Sequence, residues 1–245
     1  MLKKFCMKST LKLFAVFSLV AILATSCLKS SDNQPATPVA GLMAFNLAPD
    51  QNSMGIRLNG NNLTNQPLSY TNYTGAYLPI YVGDRSAWAF DYSNGAPLTE
   101  ETKFSAAADQ YYSLFVVGSD SSYKTLVTTD NLDSLPFTAG KAFVRYINAI
   151  VDTTTSPEVI VAGGSTSYQQ EVSFGQVSAF QPIDAGDIAV SVKAGTTIDK
   201  SRTFPVEANK IYTVLLVGEP GAAGNKAVDI KYVVNGTIQD STAHQ

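Results

Sequence analysis

The sequence predicts an all-β fold of two tandem antiparallel sandwiches, and three observations carry that prediction. From residue 40 onward, short β-rich runs such as 143–147, 158–161, 188–193, 210–217 and 227–234 are broken by Gly, Pro, Asn and Asp. No stretch in this region sustains a helical period. The chain also repeats itself at a spacing of about 100 residues, which is how two copies of one module look in sequence.

The first element precedes the fold. Lys3, Lys4, Lys8 and Lys12 are followed by an apolar run at 13–24 and by the small residues Ala24, Thr25 and Ser26 ahead of Cys27. Positive charge holds such a start in the cytoplasm, the apolar run enters the translocon, and small side chains admit a signal peptidase. The arrangement predicts a lipoprotein signal over 1–26, with Cys27 carrying lipid, palmitate included, at the new N-terminus. An ordinary secretory signal is the competing reading, because Ala24 stands where leucine is usual. A permanent span fits less well, since the run is about a dozen residues against the roughly 20 a membrane helix needs.

Losing that signal removes four lysines and no acid, which takes the balance of 17 basic and 20 acidic groups from −3 to −7. No basic patch remains for nucleic acid. Of the two cysteines, Cys6 leaves with the signal and Cys27 is acylated, so no intramolecular disulfide is available. Stability must come from packed cores.

The remaining elements follow in order. Residues 27–39 are polar and Pro-containing, a flexible tether. Residues 40–131 form the first sandwich, 132–140 (with Pro136) a linker, 141–236 the second sandwich, and 237–245 a tail. Residues 104–118 match 204–218 at an offset of 100, while Tyr77, Pro79, Ile80, Gly83 and Asp84 answer Phe180, Pro182, Ile183, Gly186 and Asp187 at 103. Asn46 answers Asn148 at 102. The slip from 103 to 100 is assigned to extra residues near Arg85, which places Trp88, Phe90 and Tyr92 on the core face opposite Ile188, Val190 and Val192. Gly83 and Gly186 are assigned to hairpin turns needing positive φ. Each copy has the length and strand spacing of an immunoglobulin-like sandwich.

An apolar strand ending near an asparagine, a mid-module glycine turn and the late strand Tyr-Thr-Val-Leu-Leu-Val-Gly at 212–218 together resemble the bacterial domain of unknown function family 4397. The first copy departs from that pattern by carrying Tyr111, Tyr112, Ser113, Leu114, Phe115, Val116 and Val117 in the late strand. The resemblance implies tandem β-sandwich modules on secreted or lipid-anchored envelope proteins, and it supplies no catalytic residues.

Catalytic chemistry finds few groups to use. The one histidine, His244, lies next to the C-terminus, so triad mechanisms and histidine metal sites lack a base or ligand. The acid pairs Glu100 and Glu101, Asp130 and Asp133, and Asp184 and Asp187 are read as solvated loop charges rather than a glycosidase pair. Asp120 among Ser119, Ser121 and Ser122 lacks the spacing of a calcium loop. Gly163, Gly164 and Ser165 lack the lysine and helix of a phosphate cradle. No enzyme, cofactor or metal is expected.

The positive features are surfaces. Tyr70, Tyr73, Tyr77, Tyr81, Trp88 and Tyr92 cluster in the first copy, and Tyr70 and Tyr73, in a Thr- and Asn-rich stretch, are the candidate exposed stacking faces for a ligand. Asp followed by Ser or Thr and then a small apolar residue or Thr marks Ser134, Thr153 and Ser241 as candidate O-glycosylation acceptors, as in the Gram-negative lipoproteins this chain resembles. The sequence therefore predicts a non-catalytic, lipid-anchored protein of the outer membrane, facing the periplasm or the exterior, that binds or scaffolds a protein partner. The alternatives are carbohydrate capture for a glycan uptake system and an adhesin that works by strand addition.

Overall fold

The structure, a computed structural model, describes residues 37–239. Cys27, the signal, most of the tether, Ser241 and His244 lie outside the described residues. No helix among the described residues is long and apolar enough to cross a membrane.

Sixteen strands form four sheets of four. The first copy contains β1 (Val39–Asn46), β2 (Met54–Leu58), β3 (Asn61–Asn62), β4 (Leu78–Tyr81), β5 (Gly83–Asp91), β6 (Thr102–Ala106), β7 (Tyr111–Ser119) and β8 (Ser122–Thr129). A 3-10 turn at Leu132–Ser134 lies in the connection to the second copy. There follow β9 (Lys141–Ile150), β10 (Glu158–Gly163), β11 (Thr166–Glu171), β12 (Gln181–Asp184), β13 (Gly186–Ala194), β14 (Ile198–Val206), β15 (Lys210–Gly218) and β16 (Asp229–Thr237). The copies share one topology. Sheet β4-β1-β7-β8 packs on β3-β2-β5-β6 in the first, and β12-β9-β15-β16 on β11-β10-β13-β14 in the second. Pairing is antiparallel except for β1 with β7 and β9 with β15, which run parallel.

Those parallel strands explain the apolar runs. In β1, Leu42 and Ala44 enter the core of the first sandwich, while Met43 and Phe45 point the other way into a different cluster. In β7, Leu114 and Val116 face inward and Phe115 and Val117 outward. The second copy divides β15 likewise: Val214 and Leu216 inward, Leu215 and Val217 outward. The outward residues of both copies form one cluster with Ile147, Ala149 and Val233. Sheets β4-β1-β7-β8 and β12-β9-β15-β16 therefore pack face to face, and the two sandwiches form a four-layered body. A strand buried on both faces needs no alternation.

Buried asparagines end β1 and hold β9 near its end. The Asn46 amide donates to the Leu68 carbonyl at 2.9 Å and its oxygen accepts from the Ala48 N–H at 3.1 Å. Asn148 repeats this with Val172 at 2.8 Å and Ile150 at 3.1 Å. Each side chain supplies backbone partners where the ladder stops. Replacing Asn148 with Ala strands two buried backbone groups and is expected to cost about 1–3 kcal/mol in urea unfolding. Tyr112 and Tyr212 are matched in the same way, their hydroxyls accepting from Ala107 N–H at 3.0 Å and Glu207 N–H at 2.9 Å.

Two local expectations are corrected. Gly83 and Gly186 do have positive φ, 98° and 122°, but they are not hairpin turns. They lie where the chain passes from β4 in one sheet to β5 in the other, and from β12 to β13. The offset of 103 persists along all of β5, because Gly83 pairs with Ala106 as Gly186 pairs with Val206. The three extra residues fall in the connection after β5, not near Arg85. Ala87 and Ala89 therefore face the core with Val190 and Val192, and Trp88 and Phe90 point outward. A shift of one residue in phase moves a whole strand's side chains to the other face.

Candidate functional site

The junction between the sandwiches, built from the same sheet of each copy, is the most organised polar and apolar region among the described residues. Its apolar part stacks Phe45 on Phe115, ring centroids 4.8 Å apart, and Phe45 on Tyr73 at 5.4 Å. Its polar part is centred on Arg145 of β9, whose residue is 2% exposed. The Arg145 guanidinium donates from Nη1 to Asp130 Oδ1 at 2.6 Å, from Nη2 to Ser113 Oγ at 2.8 Å and from Nε to Thr213 Oγ1 at 3.0 Å. Ser113 donates to Asp130 Oδ2 at 2.7 Å, and the Tyr77 hydroxyl donates to the same oxygen. Thr213 donates to Asn235 Oδ1 at 2.6 Å, and Asn235 Nδ2 donates to Tyr77 at 3.1 Å. Phe180 lies over the guanidinium at 4.4 Å. Burial, and next the Asp130 carboxylate, push the Tyr77 hydroxyl well above the ordinary phenol range.

This network joins Tyr77, Ser113 and Asp130 of one copy to Arg145, Thr213 and Asn235 of the other. Each hydrogen-bonding nitrogen type of the arginine and both carboxylate oxygens have partners, which a buried charge pair requires. Asp130 is thereby corrected: it is a buried ion-pair partner, not a solvated connector charge, while Asp133 is exposed. Ser113 and Thr213 are matched at the repeat offset, whereas Arg145 stands where the first copy has Met43.

At one end of the junction the two sheets leave a crevice of about 690 Å³. Tyr111, Pro136, Phe137 and Ile211 form apolar wall, and Tyr77 and Asn235 bring the edge of the polar network to its lining. Phe137 is 40% exposed, so its ring is open to a partner. Tyr77 and Tyr111 meet edge to face at 5.0 Å. The volume lies within the range of binding pockets, and the walls mix apolar and polar groups about equally.

The candidate stacking residues fall elsewhere. Tyr70 is 9% exposed and packs in the junction cluster, its hydroxyl buried without a protein partner. Burial raises that hydroxyl far above its usual range. Tyr73 is half-buried against Phe45. Tyr70 is closed off in the junction, while Tyr73 keeps part of its surface open beside exposed Asn72. Ser134 and Thr153 are exposed. Thr153 lies in a turn where the Thr155 and Thr154 hydroxyls hold the Asp152 carboxyl at about 2.

The other acidic candidates are accounted for locally. Asp184 accepts from Lys141 Nζ at 2.7 Å, from Thr166 Oγ1 at 3.0 Å and from Ser165 N–H at 3.1 Å, so the Gly164 turn wraps a carboxylate of the protein itself. Lys141 first, then Thr166 and Ser165, hold that carboxyl at about 2. A depressed carboxyl contributes stability that is present above its unfolded value of 3.8 and lost as pH falls from there towards about 2. In Lys141→Met the Asp184 midpoint should move up towards 3.8, a shift that carboxyl-detected NMR titration reads directly. Asp120 is exposed, and no group of three His, Cys, Asp or Glu side chains able to hold a metal occurs among the described residues.

The family match agrees with the tandem arrangement. The model of the family described as a domain of unknown function (DUF4397) matches residues 40–162 and again 142–240. One solved structure, described as a "putative cell adhesion protein" from Bacteroides uniformis ATCC 8492, is 11% identical. The match covers 82% of this chain and 99% of that one, with a TM-score of 0.21. No curated protein matches. Two matches along one chain, together spanning most of it, place this protein in the DUF4397 family, with two copies of the domain in tandem.

Proposed function

We propose that the protein is a non-catalytic binding or scaffolding module of the cell envelope, anchored in the outer membrane through lipid on Cys27 and engaging a protein partner at the junction crevice. The observation that carries this reading is the junction itself: a charge network buried between two sandwiches fixes the walls of an open, aromatic-lined crevice. A rigid recess binds without first ordering its walls, which lowers the entropic cost of association. Among the described residues no imidazole base lines it, the one histidine of the sequence lying outside them.

A photo-crosslinking residue at Phe137, with Lys193 as the control position, tests the reading in cells carrying the full chain. One discrete adduct from position 137 and none from 193 is expected. Equal labelling at both positions, or none at either, would remove the crevice as the binding surface. The same cells test the attachments. Intact mass should show lipid on a chain beginning at Cys27, and any further increment should map to Ser134, Thr153 or Ser241.

A further inference from the structure

The outer face of sheet β3-β2-β5-β6, away from the junction, differs sharply between the copies. In the first copy Arg57 lies directly across from Trp88, and Gly55 across from Phe90. The matching pairs in the second are Ile160 with Ser191 and Glu158 with Lys193. The core positions of these strands stay apolar in both copies, Ala87 and Ala89 answering Val190 and Val192. The second sandwich shows that the fold does not need aromatics on this face.

The first copy has organised them. The Phe90 ring fills the space that a side chain at Gly55 would occupy, an added Cβ falling 2.2 Å from it. The Arg57 guanidinium lies over that ring at 4.6 Å, and Tyr92 stacks beside it at 5.9 Å. Tyr92 is itself held by its hydroxyl on the Asn65 carbonyl at 2.9 Å. Arg57 is thus fixed in place, yet it has no carboxylate within ion-pair distance among the described residues, and its Nε is shielded from solvent without a partner. Half-buried Trp88 and exposed Asn62, which pairs with Arg57 across β3, flank it.

We infer that this face is a second binding site, for an acidic glycan, with Trp88 stacking on a sugar ring and Arg57 and Asn62 receiving a uronate carboxylate. An indole face suits the C–H side of a pyranose. A preset guanidinium pairs with a carboxylate in two parallel hydrogen bonds. The site goes beyond the protein-binding reading, and either can fail without the other.

Trp88 is the chain's single tryptophan, so its emission reports on this face alone. The full chain in detergent micelles is titrated with hexagalacturonate and, separately, with neutral cellohexaose. A saturable emission change with hexagalacturonate is expected, weakened at least tenfold by Arg57→Gln and by added salt, with little response to cellohexaose. Arg57→Lys keeps the charge and should recover only part of the affinity, and a thermal scan confirms that each variant is folded. An unmoved emission and a blank calorimetric titration would overturn the proposal. So would equal binding of both glycans, or an affinity indifferent to Arg57→Gln in folded protein.

Discussion

Replacing Asp130 with Ala is expected to destabilise the protein by about 3–5 kcal/mol, among the largest effects of any single substitution outside the apolar cores. The carboxylate accepts from Arg145, Ser113 and Tyr77 in a region closed to water. Removing it leaves a guanidinium that is 2% exposed with only hydroxyl partners. The loss comes from that stranded charge rather than from the net worth of the pair. Asp130→Leu combined with Arg145→Met should therefore cost much less than Asp130→Ala, since burying matched apolar groups avoids desolvating either ion. Urea unfolding of the three proteins measures the contrast. A double variant as unstable as the single one would mean that the network acts through shape, not charge.

The second large effect is expected at Phe115. This ring is fully buried, stacks on Phe45 and lies in the cluster shared by both sandwiches. Phe115→Ala should cost about 3–5 kcal/mol through lost burial and a residual cavity. Because the cavity opens between the copies, both should weaken together. Trp88 emission follows the first sandwich, and Tyr212, repeated in the second, can be followed by a fluorinated tyrosine. Coincident shifts in the two transitions are expected. A loss confined to the first copy would show that the junction adds little to the second.

The all-β class, the tandem repeat and the strand runs were legible because they depend on local pattern. Glycine and asparagine punctuation at Gly83, Gly186, Asn46 and Asn148 recurs at nearly constant spacing, and the structure uses each in the same place in both copies. The junction was less legible, although its signal is present. Leu42 to Phe45, Leu114 to Val117 and Val214 to Val217 are apolar without alternation, a pattern a sandwich strand with one wet face does not need. Arg145, alone among apolar neighbours in β9, and Asp130, at the end of β8, were the polar half of that signal. Charge in a connector reads as solvated until its partner, on a different module, is known.

The tyrosine cluster divides for a related reason, Tyr70 being 9% exposed and Tyr81 66% exposed. Tyr70 sits in a polar stretch, yet it is buried in the cluster shared by both sandwiches, and burial by a distant segment leaves no trace in local composition. A repeat slip near Arg85, inside β5, would turn Trp88 and Phe90 inward; with the slip after β5 they point outward. One misplaced turn reversed the strand and hid the outward face that now carries the Arg57 cluster. Lipidation at Cys27 and the acceptor at Ser241 rest on sequence pattern alone, since both lie outside the described residues.

The two repeats form one body across the charged junction, and they are expected to unfold together. Calorimetric unfolding of the full chain tests this most directly. One transition, with van't Hoff and calorimetric enthalpies in a ratio of about 1, is predicted. Two resolved transitions, or a ratio near about 0.5, would mean that the sandwiches unfold independently and that the junction does not hold the crevice rigid.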